Sequence, residues 1–323
     1  MGGSITDIPG VRVGHAQDTE AATGCTVILF ENGARGAVDL RGGGTSTRQI
    51  DPLLDHHAFG NINALLLSGG SAYGLSAADG VMRYLEERGV GLDVGGGIVV
   101  PSVPTAVIFD LRIGNGARRP DPDMAHEACV NASAEPAVEG CVGAGTGATV
   151  GKVISIRNAT KSGIGTASLR LESGAWIGAL VVVNAFGDVR DPSTGEIIAG
   201  HRASPDGREF PGTSELIKRG DIHRVEPFES TTLAVVATNA SFDQSEILRI
   251  AKIGQTGVAR TIVPCHTASD GDMVFALTTG TMEADANAVG IIAGELVSEA
   301  IVRAIAAATS LCGIPSRAEL FGR

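Results

Sequence analysis

The segment Glu229-Ser230-Thr231-Thr232-Leu233 sets two adjacent threonine hydroxyls where a polar, irregular stretch gives way to the apolar run at 231–238 (TTLAVVAT). A threonine hydroxyl is a weak nucleophile unless a base adjoins it. A threonine at a chain N-terminus carries that base itself, because an α-amine has a pKa near ~7.7–8, far below that of lysine. A general base works best when its pKa lies near the ambient pH. The β-branched side chain also restricts χ1 and so holds the hydroxyl in one direction. Freeing such an amine in mid-chain requires the Thr231 hydroxyl to attack the Ser230 carbonyl, which makes Ser230-Thr231 both cleavage site and reaction centre. Taken alone, the same threonines also read as plain β-formers opening a strand, the commoner use of such a pair.

Other chemical groupings are less complete. Asp270-Gly271-Asp272 puts two carboxylates around a glycine turn, where they could cap a loop or orient catalytic groups, and no further acidic residues follow at EF-hand spacing. The segment 147–152 resembles part of a P-loop, but Thr146 replaces the first glycine and Val153 the Mg²⁺-binding hydroxyl. Gly143-x-Gly145-x-x-Ala148 lacks the strand, helix and acidic residue of a dinucleotide site. Gly69-Gly70-Ser71-Ala72-Tyr73 misses a nucleophile elbow by its last glycine. Seven histidines show no metal-ligand spacing. Neither a metal nor a cofactor is expected.

The bulk composition is that of a globular protein with plenty of apolar surface to bury. The chain has 323 residues, 43% hydrophobic and 19% charged, with a net charge of −11. There is no basic stripe, and one Trp and two Tyr offer little for base stacking, which argues against nucleic acid. Apolar runs stop short of the roughly 20 residues that span a bilayer, so no membrane partner is expected. Met1-Gly2-Gly3-Ser4 lacks the basic and apolar regions of a signal peptide. Cys25, Cys129, Cys141, Cys265 and Cys312 are an odd number without a C-x-x-C pair, which suits reduced, core-filling thiols in a cytoplasmic protein.

The elements that must position these groups alternate along the chain. Strands are expected at 26–30 and 64–67, then a helix at 71–87 capped by Ser71, with Leu75, Ala78, Met82 and Leu85 on its apolar face. Residues 99–109 are β-branched but broken by Pro101 and Pro104, which predicts a bent or edge strand. The run 175–184 (AWIGALVVVN) reads as a strand covered on both faces. Residues 188–230, with Pro192, Pro205, Pro211 and Pro227, read as irregular, and such a stretch in a compact domain is usually functional. Strand 231–238, a helix from about 241–245 to 259, strand 273–278 and an Ala-rich helix at 285–308 complete an α/β sandwich.

These motifs in this order give the chain its resemblance. From Ile5-Thr6-Asp7-Ile8-Pro9-Gly10-Val11-Arg12-Val13-Gly14-His15, it runs through Leu67-Ser68-Gly69-Gly70-Ser71-Ala72-Tyr73-Gly74-Leu75 and Gly143-Ala144-Gly145 to Gly151-Lys152. It continues through Thr231-Thr232-Leu233-Ala234-Val235-Val236-Ala237-Thr238-Asn239, His266-Thr267, and Asp270-Gly271-Asp272 to Phe275-Ala276. Over nearly its whole length the sequence resembles the L-aminopeptidase/D-esterase family, with its β-peptidyl aminopeptidase and nylon-oligomer hydrolase members. The resemblance implies a four-layer αββα sandwich, like that of N-terminal-nucleophile hydrolases but differently connected. It implies one peptidase domain, 1–323, cleaved into a large chain 1–230 and a small chain 231–323, and a homotetramer or larger assembly. By position it implies Thr231 as nucleophile, Lys152 beside it, Asn184 as oxyanion donor, and Asp270 and Asp272 orienting the nucleophile and its amine.

Three positions depart from the family pattern. Ser230 stands where members usually carry Asn or Gly. Phe109 replaces a tyrosine that in some members helps hold the oxyanion, and Val107 replaces a glutamate that grips the substrate's free amine in aminopeptidase members. Both positions would border the substrate. The nylon-oligomer hydrolase branch departs at the same places and is the nearer comparison there. The substrate expected is a small peptide or amide. The alternatives are an acyltransferase like the ornithine acetyltransferases, whose Ala-Thr-Met-Leu processing sequence is absent, and an uncleaved binding protein of the same fold.

Overall fold

The computed structural model describes residues 2–54, 61–221 and 230–322. The end of the expected irregular stretch, 222–229, lies outside the described residues, Pro227 and Glu229 included. The strands that build the site's framework are β1 (Val11–Asp18), β2 (Thr23–Leu40), β3 (Thr47–Arg48), β4 (Asn61–Ser68), β5 (Thr105–Val107), β6 (Ile164–Arg170), β7 (Trp176–Asn184), β8 (Thr231–Ala240) and β9 (Met273–Met282). The helices that cover them are α1 (Ala78–Glu86), α2 (Pro122–Val130), α3 (Gln244–Thr261) and α4 (Ala286–Ala306).

Among the described residues these strands form one sheet in the order β6-β7-β8-β9-β2-β4-β5-β3, with β1 also paired to β2. β2 is 18 residues long, against a usual five or six, because besides β1 it pairs with two further strands along its length. Cys25 to Leu29 pair antiparallel with β4, and Arg35 to Leu40 pair antiparallel with β9. Between them the register shifts at Leu29/Ala34, where Gly33 takes a φ of 75° that glycine adopts without strain. A bulge of this kind bends a strand, and the sheet folds over on itself there.

The two halves then share one apolar layer. Ile28, Phe30, Ile62, Leu65 and Leu67 from one half meet Leu180, Val182, Leu233, Val235 and Phe275 from the other. Period-two alternation turns the remaining side chains outward. Cys25, Val27, Leu29, Ala64 and Leu66 pack with α1 and α2, while Ala179, Val181, Val183, Ala234 and Val236 pack with α3 and α4. The layers are therefore αββα. Covering both faces explains why β7 and β8 read as unbroken apolar runs. β8 and β9 are parallel, and α3 supplies the long crossover that parallel neighbours need. Asp243 starts α3 with a capping box to Glu246, and Asp285 caps α4.

Several expectations need revision. Ser71 does not cap a helix: its φ is 54°, and a 3₁₀ turn over Ser71–Ala77 precedes α1. The Gly70 N–H just before it donates to the buried Asp110 carboxylate at 2.7 Å, a tertiary contact that sets the turn. Residues 99–109 are two short strands, Val99–Val100 and β5, separated by the prolines. The stretch 188–221 is ordered into the strand Asp188–Arg190, which pairs with Ile197–Ala199 on one side and Ile262–Val263 on the other, and the helix Thr213–Arg219. Its anchor is buried Asp188, which accepts from His201 N–H at 2.9 Å and from the Thr213 N–H and hydroxyl at 2.5 and 2.9 Å. Burial raises the Asp188 pKa, and those hydrogen bonds act against the rise. Cys25 and Cys129 are buried, but Cys312 is exposed and fills no core.

Helix α4 lies almost on the backbone of β6. A Cβ on Gly165 would stand 1.9 Å from the Ala300 carbonyl oxygen. Gly165→Ala should therefore destabilise the protein by about 1–3 kcal/mol, the usual cost of overpacking. Urea denaturation should show an earlier midpoint with an unchanged slope. A midpoint equal to that of the parent would contradict this seating of α4.

Candidate active site

Strand register brings the expected residues to one end of the β7-β8-β9 ladder. β7 and β8 run antiparallel from Ile177↔Thr238 to Asn184↔Thr231, so the asparagine that ends one strand faces the threonine that begins the other. On the other flank β8 and β9 run parallel with Leu233 opposite Met273, and Ser230 forms a separate parallel bridge with Asp270. Thr231 is only 5% exposed. Its hydroxyl donates to the carbonyl oxygen of Ser230 at 2.6 Å.

Lys152 follows the turn at Gly151, and its ammonium is buried among oxygens. It donates to Asn184 Oδ1 at 2.7 Å, to the Asn184 carbonyl at 3.0 Å and to the Thr149 carbonyl at 2.9 Å. Asn184 Oδ1 also accepts the Thr149 N–H at 3.1 Å. With two donors on that oxygen, the orientation of the amide is fixed by its partners. Its Nδ2 therefore points the other way and donates to the Phe109 carbonyl at 3.0 Å.

The carboxylates come from the loop that leads into β9. Asp272 Oδ1 accepts the Thr232 N–H at 2.7 Å, and its Oδ2 accepts the His266 N–H at 2.9 Å with His266 Nδ1 at 3.1 Å. Asp270 accepts the Thr267 N–H at 3.0 Å, the Thr267 hydroxyl at 2.7 Å and the Phe186 N–H at 3.3 Å. Burial, followed by the nearby charge of Asp272, raises the Asp270 pKa to about 6, with the hydrogen bonds from Thr267 and Phe186 opposing. The pair thus both caps its loop and lies against the start of β8, so the two readings of Asp270-Gly271-Asp272 are not exclusive.

Sequence reasoning missed the support beneath that loop. His266, given no role by its spacing, takes a φ of 58° and is tied to Asp272. The backbone of Arg41-Gly42-Gly43-Gly44, just after β2, donates to the carbonyls of Asp272, Thr267 and Asp270 at 2.8–3.2 Å. A Cβ on Gly42 would stand 2.2 Å from the Asp270 carbonyl oxygen. Three consecutive glycines directly after a strand were the available signal. Phe109 lines a small cavity of ≈ 10 Å³ with Lys152, Thr149, Arg112 and Ile113. Val107 is buried in β5 opposite Ser68 and does not line it.

With this geometry in hand, comparison with known proteins gives a consistent result. The sequence profile of Peptidase family S58 matches residues 3–318. An uncharacterised aminopeptidase of Mycobacterium tuberculosis (strain ATCC 25618 / H37Rv) is 42% identical over 98% of this chain and 98% of its own. Another from Mycobacterium leprae (strain TN) is 41% identical over 98% of this chain and 94% of its own. A 6-aminohexanoate-oligomer endohydrolase of Kocuria sp. (strain KY2) is 33% identical over 92% of this chain and 84% of its own. Over the whole chain, then, identity is higher with the mycobacterial proteins than with this oligomer hydrolase.

Among solved structures, a β-aminopeptidase of Burkholderia sp. superposes with a TM-score of 0.74 at 22% identity, covering 100% of this chain and 92% of that one. The L-aminopeptidase D-Ala-esterase/amidase of Ochrobactrum anthropi, described as a variant of the Ntn hydrolase fold, gives 0.75 at 20% identity over 98% and 89%. At that identity the likeness is one of fold. Matched almost end to end by the family profile and by relatives 33–42% identical, this protein belongs to Peptidase family S58 and is a hydrolase of amide bonds.

Proposed function

We propose that the chain is a self-processing hydrolase of linear amides whose nucleophile is an N-terminal Thr231. The observation that carries this reading is the 2.6 Å hydrogen bond from Thr231 Oγ to the Ser230 carbonyl. It sets the hydroxyl against the one peptide bond whose cleavage would free the threonine's own amine. Cutting there yields chains 1–230 and 231–323. They would stay together as one peptidase domain, because β8 is bonded to β7 on one side and to β9 on the other.

Once free, the amine serves as base for its own hydroxyl. The hydroxyl attacks the substrate's amide carbon, the amine takes the proton and passes it to the leaving nitrogen, and water then hydrolyses the ester. In this reading the Lys152 ammonium holds the amine's pKa down, the carboxylates of Asp270 and Asp272 hold it up, and the balance keeps it near neutrality. Asn184 and Lys152 stabilise the oxyanion of the substrate. The substrate class is linear amides, and position 107 offers them no carboxylate, Val107 being buried in β5. The relatives named for 6-aminohexanoate oligomers accord with that substrate class, and those named aminopeptidases with a peptide. The working form is a cytoplasmic homotetramer of cleaved pairs, in keeping with five free thiols and with the family resemblance.

Purified protein should resolve on a denaturing gel into two chains, the smaller beginning Thr-Thr-Leu-Ala. Thr231→Ala should leave a single folded chain without hydrolytic activity, at a stability cost on the order of 1 kcal/mol. Thr231→Ser should cleave more slowly, and Thr232→Ala should still cleave. A folded Thr231→Ala protein with full activity would end this reading.

Asn184→Ala should lower kcat by roughly 10²–10³, the loss typical of one oxyanion donor, with little change in KM. Near-parental kcat in a simple amide assay would remove Asn184 from the chemistry.

A further inference from the structure

The Ser230 carbonyl oxygen accepts a second hydrogen bond, from the backbone N–H of Gly271 at 2.8 Å. It belongs to the bridge in which Ser230 lies opposite Asp270 and the Ser230 N–H donates to the Ser269 carbonyl at 3.3 Å. The oxygen on which negative charge gathers during self-cleavage is therefore already held by a fixed donor, which needs no reorganisation when the reaction begins.

Two observations set this bond apart from an ordinary ladder contact. Gly271 is not among the glycines with positive φ, so its backbone angles do not demand glycine. Space does: a Cβ there would stand 2.6 Å from Thr231 Oγ and 3.3 Å from Thr231 Cγ2. Any side chain would displace the nucleophile. Secondly, the amide of Asn184 is engaged elsewhere in the uncleaved chain. Its oxygen binds Lys152 and Thr149, and its nitrogen donates to the Phe109 carbonyl.

We propose that the Gly271 N–H is the oxyanion donor of the self-cleavage step, and that glycine stands there to leave Thr231 its line of attack on the Ser230 carbonyl. The inference rests on the self-processing reading. Thr231 Oγ bonds to the Ser230 carbonyl carbon, and the negative charge on the oxygen is held by the Gly271 N–H. The bond from that carbon to the Thr231 nitrogen then breaks, and the hydroxyl proton ends on the nitrogen. Water splits the resulting ester, its hydroxyl going to Ser230 as a carboxylic acid and its hydrogen to Thr231 Oγ. One water is consumed, and a free threonine amine results.

The test replaces Gly271 by glycolic acid through nonsense suppression, which exchanges the N–H for an ester oxygen and adds no side chain. The same exchange at Gly44 is the control, because its N–H donates to the Asp270 carbonyl, also at 2.8 Å, without touching Ser230. With folding checked by circular dichroism, the small chain should appear about 10²–10³-fold more slowly for the Gly271 ester and within severalfold of the parent for the Gly44 ester. Gly271→Ala keeps the N–H and adds the Cβ, and it should also process slowly. Parent-like rates for the Gly271 ester, or equal slowing by both esters, would overturn the donor role. Parent-like processing by Gly271→Ala would overturn the steric reason for glycine. If the parent itself never yields the small chain, the self-processing reading fails first and takes this inference with it.

Discussion

The Ser230 carbonyl oxygen accepts from Thr231 Oγ at 2.6 Å and from the Gly271 N–H at 2.8 Å, and strand register puts both donors there. Asn184 faces Thr231 across one ladder, and the offset that pairs Leu233 with Met273 across the other also pairs Ser230 with Asp270. A slip of one residue in β8 would turn Leu233 and Val235 out of the layer between the half-sheets and carry Thr231 to the wrong face. Each of those side chains contributes roughly 1.5–3 kcal/mol by its burial. The apolar core thus enforces the alignment of a single carbonyl, and the chemistry at the strand end inherits its accuracy from packing several residues away.

Charge at the same strand end works against stability. Asp270 has its pKa raised from 3.8 to about 6, chiefly by burial. Across that window the folded chain holds a proton that the unfolded chain has lost, so stability falls as pH rises through it. At neutral pH the folded state bears the full cost of holding this carboxylate charged in a buried place beside Asp272. The loop carrying this charge is fastened by the Arg41–Gly44 backbone and by Thr267, which is how a site can keep an unfavourable carboxylate in place. In the proposed reaction the cost has a use, since a carboxylate of raised energy favours a cationic amine released beside it.

What was legible in the sequence follows from the range of the forces involved. The strand at 175–184 and the helix ending near 259 show in local pattern, because burial on both faces and amphipathic spacing are written into neighbouring residues. The alignment of Thr231 with Asn184 could be reached only through family resemblance, since no periodicity relates residues 47 positions apart. Three contributors were invisible for the same reason. Ser71 fails as a cap because Asp110 has already fixed the preceding turn through the Gly70 N–H. The stretch from 188 reads as irregular because its order comes from one buried carboxylate, Asp188, reaching His201 and Thr213. Glycines 42 to 44 matter through what they lie against, and a glycine run alone does not say what approaches it.

Ser230 shows how the proposed cut can rest on backbone rather than on side-chain identity. The residue before Thr231 is engaged on both sides, its N–H on the Ser269 carbonyl and its carbonyl under Gly271, which requires extended backbone. The residue is also buried, at 2% exposure. Its hydroxyl has no hydrogen-bond partner among the described residues, so among them the side chain adds nothing to the ladder. Serine, asparagine and glycine can all adopt the extended form, and each would present its carbonyl to Thr231 and Gly271 in the same way. The departure from the family's usual Asn or Gly therefore leaves the proposed reaction intact, because in it the bond is selected by its place at the mouth of the β7-β8-β9 ladder.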